Sequence, residues 1–423
     1  MNRLKLPTLL AGAVLLLSAC GGTSAGPDVP GPDPGGPIDV DPVACRVTVN
    51  RDLTVPTLLA NGPEACDYWF PGTAGSHTAY RIASDVLIEP GTVLLFGQDT
   101  HLYVEDSGRL TAIGTEDERI VFQGAEPVHG YWYGICFEDS RESRLEFVDI
   151  RWGGKVWTSM GSNCRGGIAG AWPGSTEPLH ITNSTVSGSY VSGLSVHDLI
   201  LGDFANNAFY NNLEYGVAAD ASQVRNLDAA SDYLGTDFGA TNGKPYVYAG
   251  GVFTDPGENH IWSNLNAPYF VAESERYVYT PDIEIYGPTN LILEAGTTIV
   301  FDGDSELYVR GGAGIGMGGT TASPVVLTGL RPERGSWNGV HIDSSAAILQ
   351  NVEIHWAGRD TPFFTGSLVL VDVVDNPAVN SVDNVFIDGS ENCAVVLWDS
   401  AESQFDTFDV RYGSNNEQNL CRR

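Results

Sequence analysis

The sequence predicts an all-β fold of short strands repeated along stacked coils, with one large unit occurring twice. Three observations carry that expectation. The chain of 423 residues is 42% hydrophobic and 18% charged, with 50 Gly and 23 Pro, so a large core is available but turn formers interrupt it throughout, which argues against helix bundles. The apolar runs are short, alternate in and out, and end in Gly, Asn, Asp or Ser, as strands do. A long stretch then recurs at a constant spacing. Charge excludes one class of partner: 22 Lys and Arg against 53 Asp and Glu, a net −31, leave no basic face for nucleic acid.

Residues 1–19 read as a targeting segment outside the fold. Arg3 and Lys5 form a positive start, Leu9 to Leu17 an apolar stretch too short to span a bilayer, and Leu17-Ser18-Ala19-Cys20 a small-residue cleavage site ending in cysteine. This stretch resembles a bacterial lipoprotein signal, which implies lipidation of Cys20 and a membrane as partner. The alternative is an ordinary secretory peptide with an incidental cysteine. Residues 20–43 add a tether, since Gly21 to Pro42 are nearly all Gly, Pro, Asp and small residues that cannot offset the entropy of ordering. Gly21 stands where an Asp resembles an inner-membrane retention signal, so the outer membrane is the expected address, facing either the periplasm or the medium.

Six further cysteines, an even number in an exported chain, read as disulfides. Six cysteines allow 15 connectivities, and the sequence-local couples are Cys45–Cys66, Cys136–Cys164 and Cys393–Cys421. The first would close the start of the fold, the second staple a long loop, and the third pin the carboxy-terminal tail. No Cys/His spacing suggests zinc.

The repeat defines the rest. Ile88-Glu89-Pro90-Gly91-Thr92-Val93-Leu94-Leu95-Phe96 recurs as Leu293-Glu294-Ala295-Gly296-Thr297-Thr298-Ile299-Val300-Phe301, an offset of 205. The same offset relates Leu102-Tyr103-Val104 to Leu307-Tyr308-Val309, Gly114-Thr115 to Gly319-Thr320, and the Trp132 segment to that of Trp337. Val148 to Trp152 match Val352 to Trp356 at 204. The expected organisation is a first copy over 44–240, a connecting segment over 241–281 where Gly, Pro and Asn cluster, and a second copy with its tail over 282–423. A coil that contributes one strand to each of several sheets cannot bury its own apolar side, but stacked parallel coils can. Asn206-Asn207 and Asn211-Asn212 fit such turns, because Asn tolerates left-handed geometry and its amide can bond to the next coil.

Glu-Pro-Gly-Thr followed by a β run, Gly-Thr, Ile-Val-Phe-Gln-Gly, Gly-x-Trp-x-Gly-Ile and Leu-x-Phe-Val-x-Ile-x-Trp-Gly-Gly resemble the right-handed parallel β-helix, or solenoid, repeat of pectin-lyase-like bacterial surface proteins. The resemblance covers Tyr80 to Gly154 and Tyr277 to Gly358 well and is specific for fold. It implies little about activity, because that superfamily holds polysaccharide lyases, glycoside hydrolases, adhesins and uncharacterised lipoproteins. The Asp-Asp pair and Arg-x-Lys motif of its polygalacturonase members have no counterpart here.

Residues shared by both copies, such as Phe96/Phe301, Trp132/Trp337 and Trp152/Trp356, are expected in the core and turns. Function is expected where the copies differ. In the first copy Lys155, Trp157 and Arg165 follow Trp152, and in the second Arg359, Phe363 and Phe364 stand at the equivalent exit. Aromatic faces beside a cation suit a sugar with a uronate or sulfate, and a stapled loop covering the coil edge is the plainer reading. Alternation also turns His341, Asp343, Glu353 and His355 outward, an acid–base or metal set unless they are solvated surface groups. Asp302, Asp304 and Glu306 form an acidic run with oxygen ligands for Ca²⁺, the one cofactor the chain suggests, or simply a solvated turn. Two readings compete. One is a non-catalytic binding or adhesion module that presents its loops to a polysaccharide or an envelope protein. The other is a polysaccharide lyase or glycoside hydrolase, for which no complete catalytic set is visible.

Overall fold

Alternation along short runs such as Asp85–Ile88 turns into one buried and one outward face, with Val86 and Ile88 buried while Asp85 and Leu87 face out. A computed structural model describes residues 45–156, 164–171, 177–253, 257–272, 282–343, 346–359, 366–371, 380–398 and 405–423. It is all-β, and every pairing between its strands is parallel. In the first copy the strands deal themselves in turn to three sheets. Sheet one runs from Val47–Thr48 to Ala208–Tyr210, sheet two from Thr78–Ile82 through Thr100–Val104 and Ile135–Phe137 to Val247–Val252, and sheet three from Thr57–Leu59 through Arg109–Ile113 to Leu201–Ala205. Strands within each sheet bond to the strands one coil before and after them, an arrangement compatible with a β-helix.

The second copy repeats the pattern. Thr298–Phe301, Glu306–Arg310 and Gly314–Gly318 take the places of Val93–Phe96, Thr100–Val104 and Arg109–Ile113 in sheets one, two and three. Within 241–281, where the sequence pattern weakens, Val247–Val252, Asn259–Trp262 and Tyr269–Val271 carry the ladders onward. Val247–Val252 pairs with Val217–Asp220 on one side and with both Tyr269–Val271 and Ile283–Tyr286 on the other. The hydrogen bonding therefore passes from one copy to the next, and all described residues lie in one compact unit. A short 3-10 turn, Val224–Asn226, stands between Leu201–Ala205 and Asn259–Trp262 where a strand of sheet three would be, and Gln223 Oε1 accepts the Leu201 N–H at 3.1 Å.

Shared residues build the interior. Phe96 stacks on Trp132 with centroids 4.1 Å apart and planes at 6°, and Phe301 stacks on Trp337 at 4.1 Å and 5°. Each indole donates to a carbonyl at 2.9 Å, of Arg151 in one copy and His355 in the other. Trp152 and Trp356 adopt φ of 64° and 61°, and a Cβ on Gly188 or Gly389 would lie 2.3 Å from the respective indole. Only glycine admits that approach. The asparagine pairs divide their work: Asn206 and Asn211 take the left-handed turn, while Asn207 and Asn212 are buried and bond to neighbouring coils.

All three sequence-local disulfides form: Cys45–Cys66, Cys136–Cys164 and Cys393–Cys421, with Cα separations of 4.5, 5.7 and 5.9 Å. Among the described residues no helix is long and apolar enough to cross a membrane. Cys20 lies outside the described residues.

Candidate functional site

The copies differ on the outer face of sheet three. In the strand Gly314–Gly318, Ile315 and Met317 point into the core and every outward position is glycine. None of the three has positive φ. A Cβ on Gly316 would meet only Ile292 at 3.9 Å, and one on Gly318 would meet nothing within 4 Å. Neither backbone nor packing calls for glycine at these two sites, and glycine inside a strand weakens it. The result is an open groove of about 340 Å³ with a backbone floor, Ile292 and Ile348 as apolar walls and Asn259 and Asn290 at one end. Ile348 is 50% exposed, and Ile261 beside Ile292 on the next strand is 44% exposed.

The equivalent surface of the first copy is filled and charged. Arg109, Thr111 and Ile113 stand in place of the three glycines, and Leu87 and Arg144 in place of Ile292 and Ile348. Asp85 pairs there with Arg141 at 2.5 Å, and Arg144 with Asp203 at 3.3 Å. The second copy has replaced ion pairs by Gly, Ile, Ala and Asn in a strongly acidic chain. A cavity with apolar walls and a few orienting amides has the character of a small-ligand site, at the lower end of the ~300–1,000 Å³ such sites span.

Sheet two differs as well. His77, His101, Tyr133 and Cys136 of the first copy correspond to Asp282, Glu306, Asn338 and His341 of the second. Glu306, Asn338 and His341 line one narrow crevice. Burial, reinforced by the charges of Asp282 and Glu284, pushes the Glu306 carboxyl up to about 7, and burial pushes Asp282 up to about 6. Burial holds His341 down to about 4 against the opposing pull of Asp343. Its ring stacks on Tyr308 at 4.7 Å. Asn338 donates through Nδ2 to the Asp304 carbonyl at 2.7 Å, which fixes the amide orientation and leaves Oδ1 buried without a partner.

The residues singled out from sequence fall into separate places. His341 and Asp343 lie on sheet two, registered with Tyr308 and Arg310, whereas Glu353 and His355 lie on sheet one, registered with Val326 and Thr328. The expectation of four groups on one outer face is therefore corrected to two pairs, and His355 Nε2 sits 3.1 Å from Glu353 Oε2 within its own pair. Lys155 pairs with Asp99, and Arg359 pairs with Asp304. These are the same clamp in two copies, since Asp99 and Asp304 are 205 apart and Lys155 and Arg359 are 204 apart. Arg165 belongs to another neighbourhood, near His197, which bonds to Asp220 at 3.3 Å and Asp198 at 3.2 Å. Trp157, Phe363 and Phe364 lie outside the described residues.

Asp302, Asp304 and Glu306 do not converge within 4.8 Å of one another, because Asp302 turns to Arg331, Asp304 to Arg359 and Glu306 to the crevice. The groove and the Asp282–Glu306 pair were missed from sequence. The signal for the groove was present as Gly314-Ile315-Gly316-Met317-Gly318, a strand alternation with glycine at every outward place. The sequence matches no family model, no curated protein and no solved structure.

Proposed function

We propose that this chain is a right-handed parallel β-helix lipoprotein, held at the outer membrane through lipidated Cys20, that binds a neutral glycan in the Gly314–Gly318 groove without turning it over. The observation that carries this reading is the row of outward glycines standing where the first copy has Arg109, Thr111 and Ile113. A bare floor lets a ring approach the backbone closely, and a sugar presents C–H faces to aliphatic walls and hydroxyls to amides. The lining residues carry no charge, so a uronate or sulfate finds nothing to pair with there. Lys155 and Arg359, the cations first suggested for that task, already hold Asp99 and Asp304.

Acid–base hydrolysis on sheet two is the second reading, favoured by one observation: Glu306 stands beside Asp282 and Glu284, and with its carboxyl raised to about 7 it keeps a proton to higher pH than an ordinary carboxyl. A single experiment separates the two. Purified wild type, Gly316→Ile and Glu306→Gln are screened against neutral and uronate glycans for binding and for release of reducing ends. Wild type and Glu306→Gln are expected to bind a neutral glycan without turnover, and Gly316→Ile to lose at least tenfold in affinity. The isoleucine fills the groove and should raise stability by about 0.5–1 kcal/mol, since it removes a strand glycine. Undiminished binding by Gly316→Ile sinks the groove, and turnover that disappears in Glu306→Gln replaces binding with hydrolysis.

A further inference from the structure

Among the described residues one set of metal-ligating side chains converges: a ring nitrogen of His101 and the Sγ atoms of Cys136 and Cys164 all lie within 4.8 Å of one another. All three residues are buried, with His101 0% exposed. His101 Nδ1 lies 3.4 Å from His77 Nε2, and its Nε2 is buried without a hydrogen-bond partner. Tyr103 and Tyr133 hold the ring, with centroids at 4.1 and 5.4 Å. A structural disulfide has no need of an imidazole. Cys45–Cys66 packs with Leu95 and Trp69, and Cys393–Cys421 with Val369, Val371 and Val396. Among the described residues, only the middle disulfide has a buried histidine within ligand distance.

We propose that Cys136–Cys164 is the closed form of a thiophilic metal site that His101 completes and a dithiol reductant opens. In the opening step the two sulfurs of the reductant join in a disulfide while the Cys136–Cys164 bond breaks. Two electrons and two protons pass to the chain and leave two thiols. A divalent ion such as Zn²⁺ then displaces both thiol protons and takes two thiolates and one neutral imidazole, a soft donor set with one position left for water. Burial keeps His101 neutral, the form that ligates. His77 orients its far nitrogen, and Asp99, which accepts the Gly75 N–H at 2.6 Å and pairs with Lys155, stands behind His77. The site is independent of the glycan groove, which lies on another sheet.

The test is anaerobic titration of the full chain with Cd²⁺ and Zn²⁺, before and after reduction, following the thiolate-to-cadmium absorption and the stoichiometry. Reduced wild type is expected to bind one ion per chain and the oxidised chain none. His101→Ala should bind at least tenfold more weakly, and Cys136→Ser should lose the band. A second readout survives any loss of fold on reduction: Zn²⁺ should raise the midpoint potential of this disulfide in wild type by about 30 mV per tenfold of binding, and by less in His101→Ala. No stoichiometric ion in reduced wild type, or equal affinity and equal potential shift in His101→Ala, overturns the proposal.

Discussion

Glu306 shows what a single substitution between copies does. It stands where the first copy has the fully buried His101, and partial burial beside Asp282 and Glu284 raises its carboxyl to about 7 from an ordinary 4.5. A group whose folded value is raised stabilises the fold fully below the unfolded value, and that contribution is lost as pH rises through the folded value. The window for Glu306 is therefore about pH 4.5 to 7. His341, held down to about 4, runs the other way: its contribution is present above 6.5 and lost as pH falls toward 4. Comparing Glu306→Gln with wild type at each pH isolates the carboxyl. Thermal unfolding should show the variant gaining on wild type from pH 5 to about pH 7 and the difference levelling off above that, and a flat difference from pH 5 to pH 7 removes the buried-carboxyl account. None of this was legible in the sequence. Alternation reports whether a residue faces in or out, and so it turned His341 and Glu353 outward correctly, but it does not report which sheet a strand joins. That depends on how many residues each turn consumes, and the partners of Lys155 and Arg359 lie 56 and 55 residues away.

At the scale of the element, the turn between strands decides how well one coil locks onto the next. Asn212 is 1% exposed; its Oδ1 accepts the Ser189 N–H at 3.0 Å, and its Nδ2 donates to the Val186 carbonyl at 3.2 Å and to Asn242 Oδ1 at 2.9 Å. Asn242 passes the network on to the Phe209 and Tyr233 carbonyls, both at 2.8 Å. Truncating Asn212 to alanine strands buried groups on two coils, at a cost of about 2–4 kcal/mol. Asn211, one residue earlier, needs only its φ of 54°, which glycine supplies, so Asn211→Gly should change stability by less than about 0.5 kcal/mol. Chemical denaturation of both variants checks the contrast, and equal losses would refute the division of work within the pair. The doublets themselves were visible in the sequence. Their division was not, because both residues are asparagine and only the phase of the turn tells them apart.

For the molecule as a whole, each strand of a ladder is secured by the strands on its two sides, so stability falls toward an uncovered end. Among the described residues, Gln418–Arg422 of sheet two pairs only with Cys393–Leu397, and the Cys393–Cys421 bond joins the two. This disulfide closes a loop 28 residues long, for which restricting the unfolded chain amounts to about 3–4 kcal/mol. Because neighbours are coupled mainly to neighbours, that loss should appear locally. With both cysteines changed to serine, amide exchange is expected to quicken in Gln418–Arg422 and Phe408–Tyr412, while Val217–Asp220 and Val247–Val252 keep their protection. The interior strands are the informative ones, since there the first copy hands its ladders to the second. If protection fell equally there, the two copies would be unfolding as one cooperative body rather than as a stack, and the duplication would have produced a single folding unit rather than two units laid end to end.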